Sequence, residues 1–321
     1  MDIIAKLKFI KQLIVNNTIP SIVTEGTGGT ISARYCYSVY MRHLITAHNY
    51  GLTKIPNKVA EFGPGDSIGT GLCAMLCGAD EYYSLDFVNY ANSERNLKIF
   101  NELIEMFKQK TPIPGDDEFP RINPKLQNYA FPSSFITDDV LNKSLDESRL
   151  ERIKNIITSN LMNSKEKIVY IAPWNESNIY LTDVDFIISQ AVLEHVDELE
   201  SVYTFFSKIL SPNGYMAHVI DFKSHKIAPK WNGHWAYSEK LYRLYKGKLP
   251  YLLNRQPLSV HEGFLKKNGF NIIHIDKTYT TENSITRNQL KHPFKDMPEE
   301  DFTVSGVYIL CSTKTSPFIY K

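Results

Sequence analysis

The feature that most constrains the fold is a short apolar run followed by a glycine turn and then by a second apolar run. Residues 58–62 read Lys-Val-Ala-Glu-Phe and lie between Pro56 and Gly63, and a helix-like run at 68–77 follows them. A short run enclosed by proline and glycine is typical of a strand, and glycine lets the chain turn tightly after it. Strand, turn and helix in this order predict the opening of a βαβ unit.

The same rhythm continues along the chain. A second strand is expected at residues 82–85, ending at Asp86, and apolar residues at 99, 103 and 107 indicate a helix after it. A helix is also predicted at 194–209. Further strands are predicted at 168–171, 184–189, 215–220, 270–275 and 303–311. Strands that alternate with helices predict an α/β fold with a Rossmann-like, mostly parallel sheet.

The pattern divides the chain into three regions. Residues 1–54 are expected to form a helical cap, interrupted at 25–30 by glycine and threonine, and residues 55–107 and 166–321 form the core. Residues 108–165 begin rich in proline and acidic residues and become helical from 138 to 160. Because this segment is too long for an ordinary connection, we predict an inserted helical lid over the substrate.

Composition argues against some classes of protein. The 321 residues are 43% apolar, and 36 basic against 35 acidic side chains give a net charge of +1. Such a balance attracts no polyanion, so nucleic acid is not expected as a partner. The sequence has no run of about eighteen apolar residues that could span a membrane. Its four cysteines form no Cys-x-x-Cys pair and are interpreted as buried thiols of a cytoplasmic protein. The oligomeric state stays open.

The glycine turn is a candidate ligand site. It contains Gly63, Gly65 and Gly69, with Glu61 directly before it. Glycines let the backbone approach a ligand, and the helix that follows offers free N–H donors. Asp86, at the end of the second strand, is positioned to accept hydrogen bonds from the two hydroxyls of a ribose. A glycine turn alone is also compatible with a purely structural role.

Residues 183–196, Asp-Val-Asp-Phe-Ile-Ile-Ser-Gln-Ala-Val-Leu-Glu-His-Val, are the most specific stretch of the chain. Together with the glycine turn and its acids, this stretch resembles the motifs of class I S-adenosylmethionine-dependent methyltransferases. The resemblance covers about residues 55–221 and 268–313 and implies a seven-stranded sheet whose last strand is antiparallel. It also implies S-adenosyl-L-methionine as the cofactor, held by Glu61, Gly63, Pro64, Gly65, Asp86, Phe87, Pro173, Trp174, Gln190 and Ala191.

Two details separate this sequence from related patterns. After the third strand, where the family usually carries an acid that reads adenine, this sequence has Ala172, Pro173 and Trp174. The resemblance therefore assigns the adenine contacts to the backbone and to Trp174. The glycine spacing G-x-G-x-x-x-G also differs from the G-x-G-x-x-G of dinucleotide-binding folds, which argues against an NAD-dependent oxidoreductase.

Histidines and tryptophans gather after the fourth and fifth strands. His195 is a candidate base because a neutral imidazole can accept a hydroxyl proton, and Asp221 and His234 are further catalytic candidates. Open α/β sheets bind ligands where their strands end, and an indole face suits a sugar or an aromatic ring. Four residues of this region are expected to bind the substrate: His218, His225, Trp231 and Trp235. The alternative is a packed loop anchored by its tryptophans, with surface histidines.

The same region allows a metal interpretation. Glu194, His195 and His225 could supply nitrogen and oxygen ligands to a divalent cation. Some methyltransferases use a Glu-x-x-Glu-His set at this position, but Ala191 replaces the first glutamate here. A divalent metal is therefore possible but not expected.

The sequence thus predicts an S-adenosylmethionine-dependent methyltransferase. O-methylation of a small molecule, sugar or sugar-nucleotide is favoured, since the chain resembles uncharacterised methyltransferases of bacterial surface-polysaccharide pathways. N- or C-methylation of another small metabolite is an alternative, because it needs no dedicated base. A further alternative is a non-catalytic binding module, which the intact Gly63, Gly65 and Asp86 disfavour.

Overall fold

The computed structural model describes residues 3–18, 29–88, 90, 92–159, 164–175, 179–249 and 252–313. Within them the strands are β1 (Lys58–Phe62), β2 (Glu81–Leu85), β3 (Lys167–Ile171), β4 (Val184–Gln190), β5 (Leu210–Asp221), β6 (Asn271–Tyr279) and β7 (Val304–Ser312). The α-helices are α1 (Ile3–Thr18), α2 (Ala33–Asn49), α3 (Gly69–Cys77), α4 (Ser93–Lys108), α5 (Asp138–Ser144), α6 (Glu147–Ser159), α7 (Leu199–Ile209), α8 (Glu239–Lys246), α9 (Leu258–Lys267) and α10 (Glu299–Thr303). None of these described helices combines the length and the apolar composition that a membrane crossing requires.

The seven described strands form one sheet in the order β3-β2-β1-β4-β5-β7-β6. Strands β1 to β5 run parallel, and β7 is inserted antiparallel between β5 and β6. The predicted Rossmann-like, mostly parallel seven-stranded sheet with an antiparallel last strand is confirmed. The strand order reverses between β1 and β4, and α/β sheets bind ligands in the crevice beyond the strand ends at such a switch point.

Helices cover both faces of the sheet, which explains why its central strands are mostly apolar. Helices α2, α3 and α4 pack on one face, over a core that includes Val59 and Phe186. Helices α7 and α9 pack on the other face, over a core that includes Phe62 and Ile187. Because neighbouring residues of a strand point to opposite faces, each central strand contributes to both cores.

The segment after β4 differs from the prediction of a helix at 194–209. The chain forms a short 3₁₀ turn at Leu193–His195, and α7 begins four residues after that turn ends. The side-chain amide of Asn254 donates to the backbone carbonyls of Leu193 and Val196, at 2.7 and 2.8 Å. Both carbonyls therefore accept hydrogen bonds from Asn254, and the chain becomes helical only where α7 begins.

The insertion at 108–165 is helical as predicted, but its helices lie away from the predicted position. On α6, the buried guanidinium of Arg149 donates to two backbone carbonyls at the carboxyl end of α3. The loop before α5 packs on α2, where the fully buried Arg42 donates to three of its carbonyls. Helices α5 and α6 thus support the edge where the strands begin, opposite the edge where a lid would cover a substrate.

The predicted cap at residues 1–54 divides into two parts. Helix α2 packs on the sheet, whereas α1 packs on α8, in the segment after β5. Phe9 stacks on Tyr245 at a ring-centroid distance of 4.7 Å, and the amide of Asn16 donates to the carbonyl of Tyr245 at 2.6 Å. The break predicted at 25–30 lies mostly outside the described residues. Helices α1 and α8 therefore cover the side of the molecule on which β5 ends.

Candidate active site

Gly63, Pro64 and Gly65 form the turn that leaves β1. The two glycines have φ angles of 72° and 71°, in the left-handed region that favours glycine. The amide of Gly63 donates to the carbonyl of Leu85 at 2.9 Å, which ties the turn to the end of β2. A Cβ atom on Gly63 would lie 2.6 Å from both Cγ atoms of Val192. The turn is thus held against the segment after β4, with no room for a side chain.

Glu61 lies two residues before Gly63, and its carboxyl group is buried. The hydroxyl of Tyr82 on β2 donates to its Oε2. Burial raises the pKa of Glu61 to about 7, and the nearby charge of Asp86 adds to this, although the hydrogen bond from Tyr82 acts in the opposite direction. A carboxyl group with such a pKa ionises readily when a cation such as an ammonium group approaches.

Asp86 follows β2 and lies at the same edge of the sheet. Its Oδ1 accepts from the backbone N–H of Phe87 at 2.7 Å, while its buried Oδ2 has no hydrogen-bond partner among the described residues. Burial raises the pKa of Asp86 to about 6, against the effect of backbone donors. A buried carboxylate oxygen without a partner needs donors from elsewhere, and a ribose carries two.

Pro173 and Trp174, after β3, reach the same place. The backbone N–H of Trp174 donates to the carbonyl of Asp86 at 2.9 Å. Its indole packs edge-on against Phe62 and Phe87, at centroid distances of 4.8 and 5.9 Å. In the described part of the chain the buried indole Nε1 has no acceptor, and Phe87 is 40% exposed. Both aromatic residues that the sequence assigns to the cofactor thus lie next to Asp86.

Gln190 and Ala191 lie at the end of β4, on the other side of the turn. Ala191 has a φ angle of 55°, and its amide donates to the carbonyl of Val219 on β5 at 2.9 Å. The Oε1 atom of Gln190 shares a 3.1 Å hydrogen bond with Nε2 of His43 on α2. Burial lowers the pKa of His43 to about 4, so this ring is neutral at pH 7. Sequence reasoning missed His43, since the helical pattern of α2 does not distinguish it from a packing residue.

Four side chains meet where β4 and β5 end, and we call them the acid–imidazole cluster: Glu194, His195, Asp221 and His225. One carboxylate oxygen of Glu194 and one ring nitrogen each of His195 and His225 all lie within 4.8 Å of one another. The two imidazole rings are 5.1 Å apart, and Nε2 of His225 lies 3.3 Å from Oδ2 of Asp221. The fold thus brings together residues from the loops after β4 and β5.

Burial largely sets the charge states of the acid–imidazole cluster. Glu194 is only 3% exposed, and burial raises its pKa well above the usual range. Burial, and then the neighbouring His225, lowers the pKa of His195 to about 4, so its ring is neutral at pH 7. Burial alone would raise the pKa of Asp221, but hydrogen bonding to His225 and the charge of Lys223 hold it below its ordinary value. A neutral imidazole and a carboxylate are therefore available as proton acceptors.

His234 lies beside this cluster and is fixed by the loop that follows β5. Its buried Nδ1 shares a 3.0 Å hydrogen bond with the hydroxyl of Ser224. Burial, and then the charge of Arg255, lowers the pKa of His234 to about 3. Because Ser224 directly precedes His225, this hydrogen bond anchors the loop that carries His225.

Three predicted substrate residues lie in packed cores instead. His218 points to the other face of the sheet, where its ring stacks on Phe206 of α7 at 5.2 Å. Trp235 is fully buried, and its indole N–H donates to the carbonyl of Arg255 at 2.9 Å. Trp231 is buried against Trp235 in the same apolar group. The prediction that these three side chains bind substrate is therefore corrected, because none of their rings is exposed enough to present a face to a ligand.

We expect a Trp235→Phe variant to lose about 2 kcal/mol of folding stability, because the carbonyl of Arg255 loses its donor and a small cavity forms. Cofactor affinity should stay unchanged, since Trp235 lies outside the glycine turn. Urea denaturation and cofactor titration of the same sample measure the two quantities. Unchanged stability would contradict the packing role of Trp235 and restore it as a candidate substrate residue.

Comparison with known proteins gives distant likenesses only. The sequence matches no protein-family model and no curated protein. The structure is similar to an S-adenosylmethionine-dependent methyltransferase from Mesorhizobium loti, with 11% identity and a TM-score of 0.41 over 84% of this chain and 95% of that one. It is also similar to magnesium protoporphyrin IX methyltransferase from Synechocystis PCC 6803, with 10% identity and a TM-score of 0.40 over 96% of this chain and 94% of that one. A third similar structure is phosphoethanolamine N-methyltransferase 2 from Haemonchus contortus, with 12% identity and a TM-score of 0.40 over 88% of this chain and 57% of that one.

Proposed function

We propose that this chain is an S-adenosylmethionine-dependent methyltransferase that acts on a hydroxyl group of a small molecule. The observation that carries the proposal is a pair of acids beside the glycine turn, the buried Glu61 and the half-buried Asp86. Glu61 is the last residue but one of β1 and Asp86 follows β2, and Oδ2 of Asp86 has no partner among the described residues. The position is the switch point of the sheet, where such a ligand is expected.

The residues present fit this cofactor at each of its three parts. The ribose hydroxyls would donate to Asp86, whose buried Oδ2 then gains a partner. The ammonium group would lie near Glu61, and the backbone of Gly63 allows close approach because it has no side chain. The adenine ring would lie near Phe87 and Trp174, which border Asp86.

The chemistry asked of the protein is mainly positioning. The sulfonium of the bound cofactor supplies an activated methyl group, and the chain must hold the acceptor oxygen in line with it. The acid–imidazole cluster lies at the ends of β4 and β5, beside the turn that we assign to the cofactor. An acceptor hydroxyl must lose its proton, and this cluster provides groups that accept one. This supports O-methylation over N- or C-methylation, which would need no such group.

The acceptor itself is proposed only by class. The sugar acceptor expected from the sequence depended in part on the indole faces of Trp231 and Trp235, and both side chains are buried. We therefore propose a small molecule that carries a hydroxyl group, without choosing a glycan. The segment after β5, together with α1 and α8, would enclose it and exclude water.

Isothermal titration of the purified chain with S-adenosylmethionine, S-adenosylhomocysteine and NAD tests the proposal. We expect micromolar dissociation constants for the first two and no heat with NAD. An Asp86→Asn variant should bind roughly 100-fold more weakly, because it loses charged hydrogen bonds to the ribose. Asp80→Asn serves as the matched control, since Asp80 lies at the opposite end of β2 and is close to Arg149.

The two kinds of failure are informative. If neither cofactor form binds, the methyltransferase proposal is overturned and a binding module becomes the better account. If both variants bind as tightly as the parent chain, the ribose contact is assigned to the wrong residue.

A further inference from the structure

We propose that Glu194, His195 and His225 bind a divalent transition-metal cation at the acceptor end of the site. Sequence reasoning did not expect a metal, because Ala191 replaces a potential ligand. The structure brings the third candidate, His225, from the loop after β5 to the other two. Its ring reaches the two residues of the 3₁₀ turn after β4.

The distances suit a shared cation. The three candidate ligand atoms lie within 4.8 Å of one another. Ligands that each lie about 2.0–2.2 Å from one ion cannot be more than about 4.4 Å apart, so small side-chain movements suffice. The cluster is therefore almost assembled without any cation.

Atoms without partners provide the second observation. Oε2 of Glu194 and Nδ1 of His195 are both buried, and neither has a hydrogen-bond partner in the described ranges. Glu194 itself is 3% exposed, and its other oxygen accepts from the backbone N–H of Asp221 at 3.3 Å. A buried carboxylate oxygen without a donor is costly, and a cation would remove that cost.

The backbone holds Glu194 in place for this role. The N–H of Asn254 donates to the carbonyl of Glu194 at 2.7 Å, and the Asn254 side chain binds the carbonyls on both sides of it. These backbone contacts hold the 3₁₀ turn without using Oε2 of Glu194. Oε2 is therefore available to serve as a ligand.

Asp221 supports the third ligand. Its Oδ2 lies 3.3 Å from Nε2 of His225, and its Oδ1 accepts from the N–H of Lys223 at 2.9 Å. A carboxylate beside a metal-binding imidazole orients the ring and makes it a better ligand. We assign Asp221 this positioning role.

The ligand set indicates the class of cation. Two imidazoles and one carboxylate suit Zn²⁺, Mn²⁺, Fe²⁺ or Co²⁺ better than Mg²⁺ or Ca²⁺, which prefer oxygen ligands only. Three protein ligands leave at least one position open, as in catalytic metal sites. If the proposed function holds, the acceptor hydroxyl would occupy the open position, and the cation would lower the pKa of that hydroxyl. This last step rests on the proposed function, but cation binding itself does not.

Titration of the untagged, chelator-treated full chain with Co²⁺ tests the site, with the visible absorption of bound Co²⁺ as the readout. We expect one equivalent to bind with a dissociation constant near or below about 10 μM. Glu194→Gln and His225→Ala should each weaken binding by at least about tenfold. His274→Ala is the matched control, because His274 also pairs with a carboxylate, Asp276 at 2.9 Å, and should leave binding unchanged.

Circular dichroism and S-adenosylhomocysteine titration of the same samples keep the result interpretable. His225 is exposed, so its variant should fold even if Glu194→Gln does not. No saturable Co²⁺ binding by the parent chain, or binding that His225→Ala leaves unchanged, would overturn the site. Either result together with intact S-adenosylhomocysteine binding would leave the proposed methyltransferase standing, which separates the two failures.

Discussion

A Gly63→Ala variant should lose about 3 kcal/mol of folding stability and bind S-adenosylhomocysteine at least tenfold more weakly. Alanine at a φ angle of 72° costs about 1 kcal/mol, and its Cβ would lie 2.6 Å from Val192, which adds an overpacking cost of about 2 kcal/mol. Relief of this clash must move the turn or the segment after β4, and both border the proposed cofactor. Chemical denaturation and calorimetric titration measure the two effects.

Two companion variants separate backbone strain from the steric clash. Gly269 also has a positive φ angle, 78°, but an added Cβ there meets nothing within 4 Å. Gly269→Ala should therefore lose only about 1 kcal/mol and keep cofactor affinity. Adding Val192→Ala to Gly63→Ala should recover part of both losses. If the double variant is no better than the sum of its single changes, the clash is not the cause.

The central strands were predictable because each is a short apolar run with clear ends. The prediction for β1 agrees with the structure at both ends, and those for β2 and β4 differ by one residue. Parallel strands buried on both faces are mostly apolar, and Gly63 and Asp86 directly follow β1 and β2 where the ligand crevice opens. The local sequence was therefore sufficient to predict the core of the fold and the positions of Gly63 and Asp86.

Contacts between distant segments were not predictable in the same way. Asn254 fixes the turn after β4 from about sixty residues away, and His43 reaches Gln190 across 147 positions. The place of the insertion depends on Arg149 and Arg42, whose charges alone suggest surface residues. A single sequence reports composition and local periodicity, whereas these pairs exist only once the sheet has formed.

The cluster of histidines and tryptophans shows how far residue density can mislead. His218 and Asp221 are three positions apart in one strand, so the alternation of side chains sends them to opposite faces. That separation follows from strand parity and needed no structure. The burial of Trp235 did need one, because its partners near Phe294 come from a later loop.

Cofactor affinity should fall by between two and three orders of magnitude when the pH is lowered from 7.5 to 5. In the free protein the pKa of Glu61 is raised by burial to about 7 and that of Asp86 to about 6. Both acids must be ionised to accept hydrogen bonds from an ammonium group and from ribose hydroxyls. At pH 5 the cost of deprotonating Glu61 weakens binding by about 100-fold, and the cost of deprotonating Asp86 weakens it by about 10-fold. Titration with S-adenosylhomocysteine at several pH values measures how the dissociation constant changes with pH.

A Glu61→Gln variant distinguishes this linkage from a general loss of structure at low pH. This variant should bind S-adenosylhomocysteine more weakly at pH 7.5, yet lose only about tenfold more affinity by pH 5, because Asp86 alone then titrates.

The raised pKa of Glu61 affects folding stability in the opposite direction. The pKa of Glu61 is higher in the folded chain than in the unfolded one, so the parent loses stability as the pH rises from about 4.5 to 7. Glutamine should remove that loss and make the cofactor-free protein roughly 3 kcal/mol more stable at pH 8. If the affinity of the parent chain for S-adenosylhomocysteine stays constant from pH 5 to 7.5, Glu61 and Asp86 do not bind the cofactor.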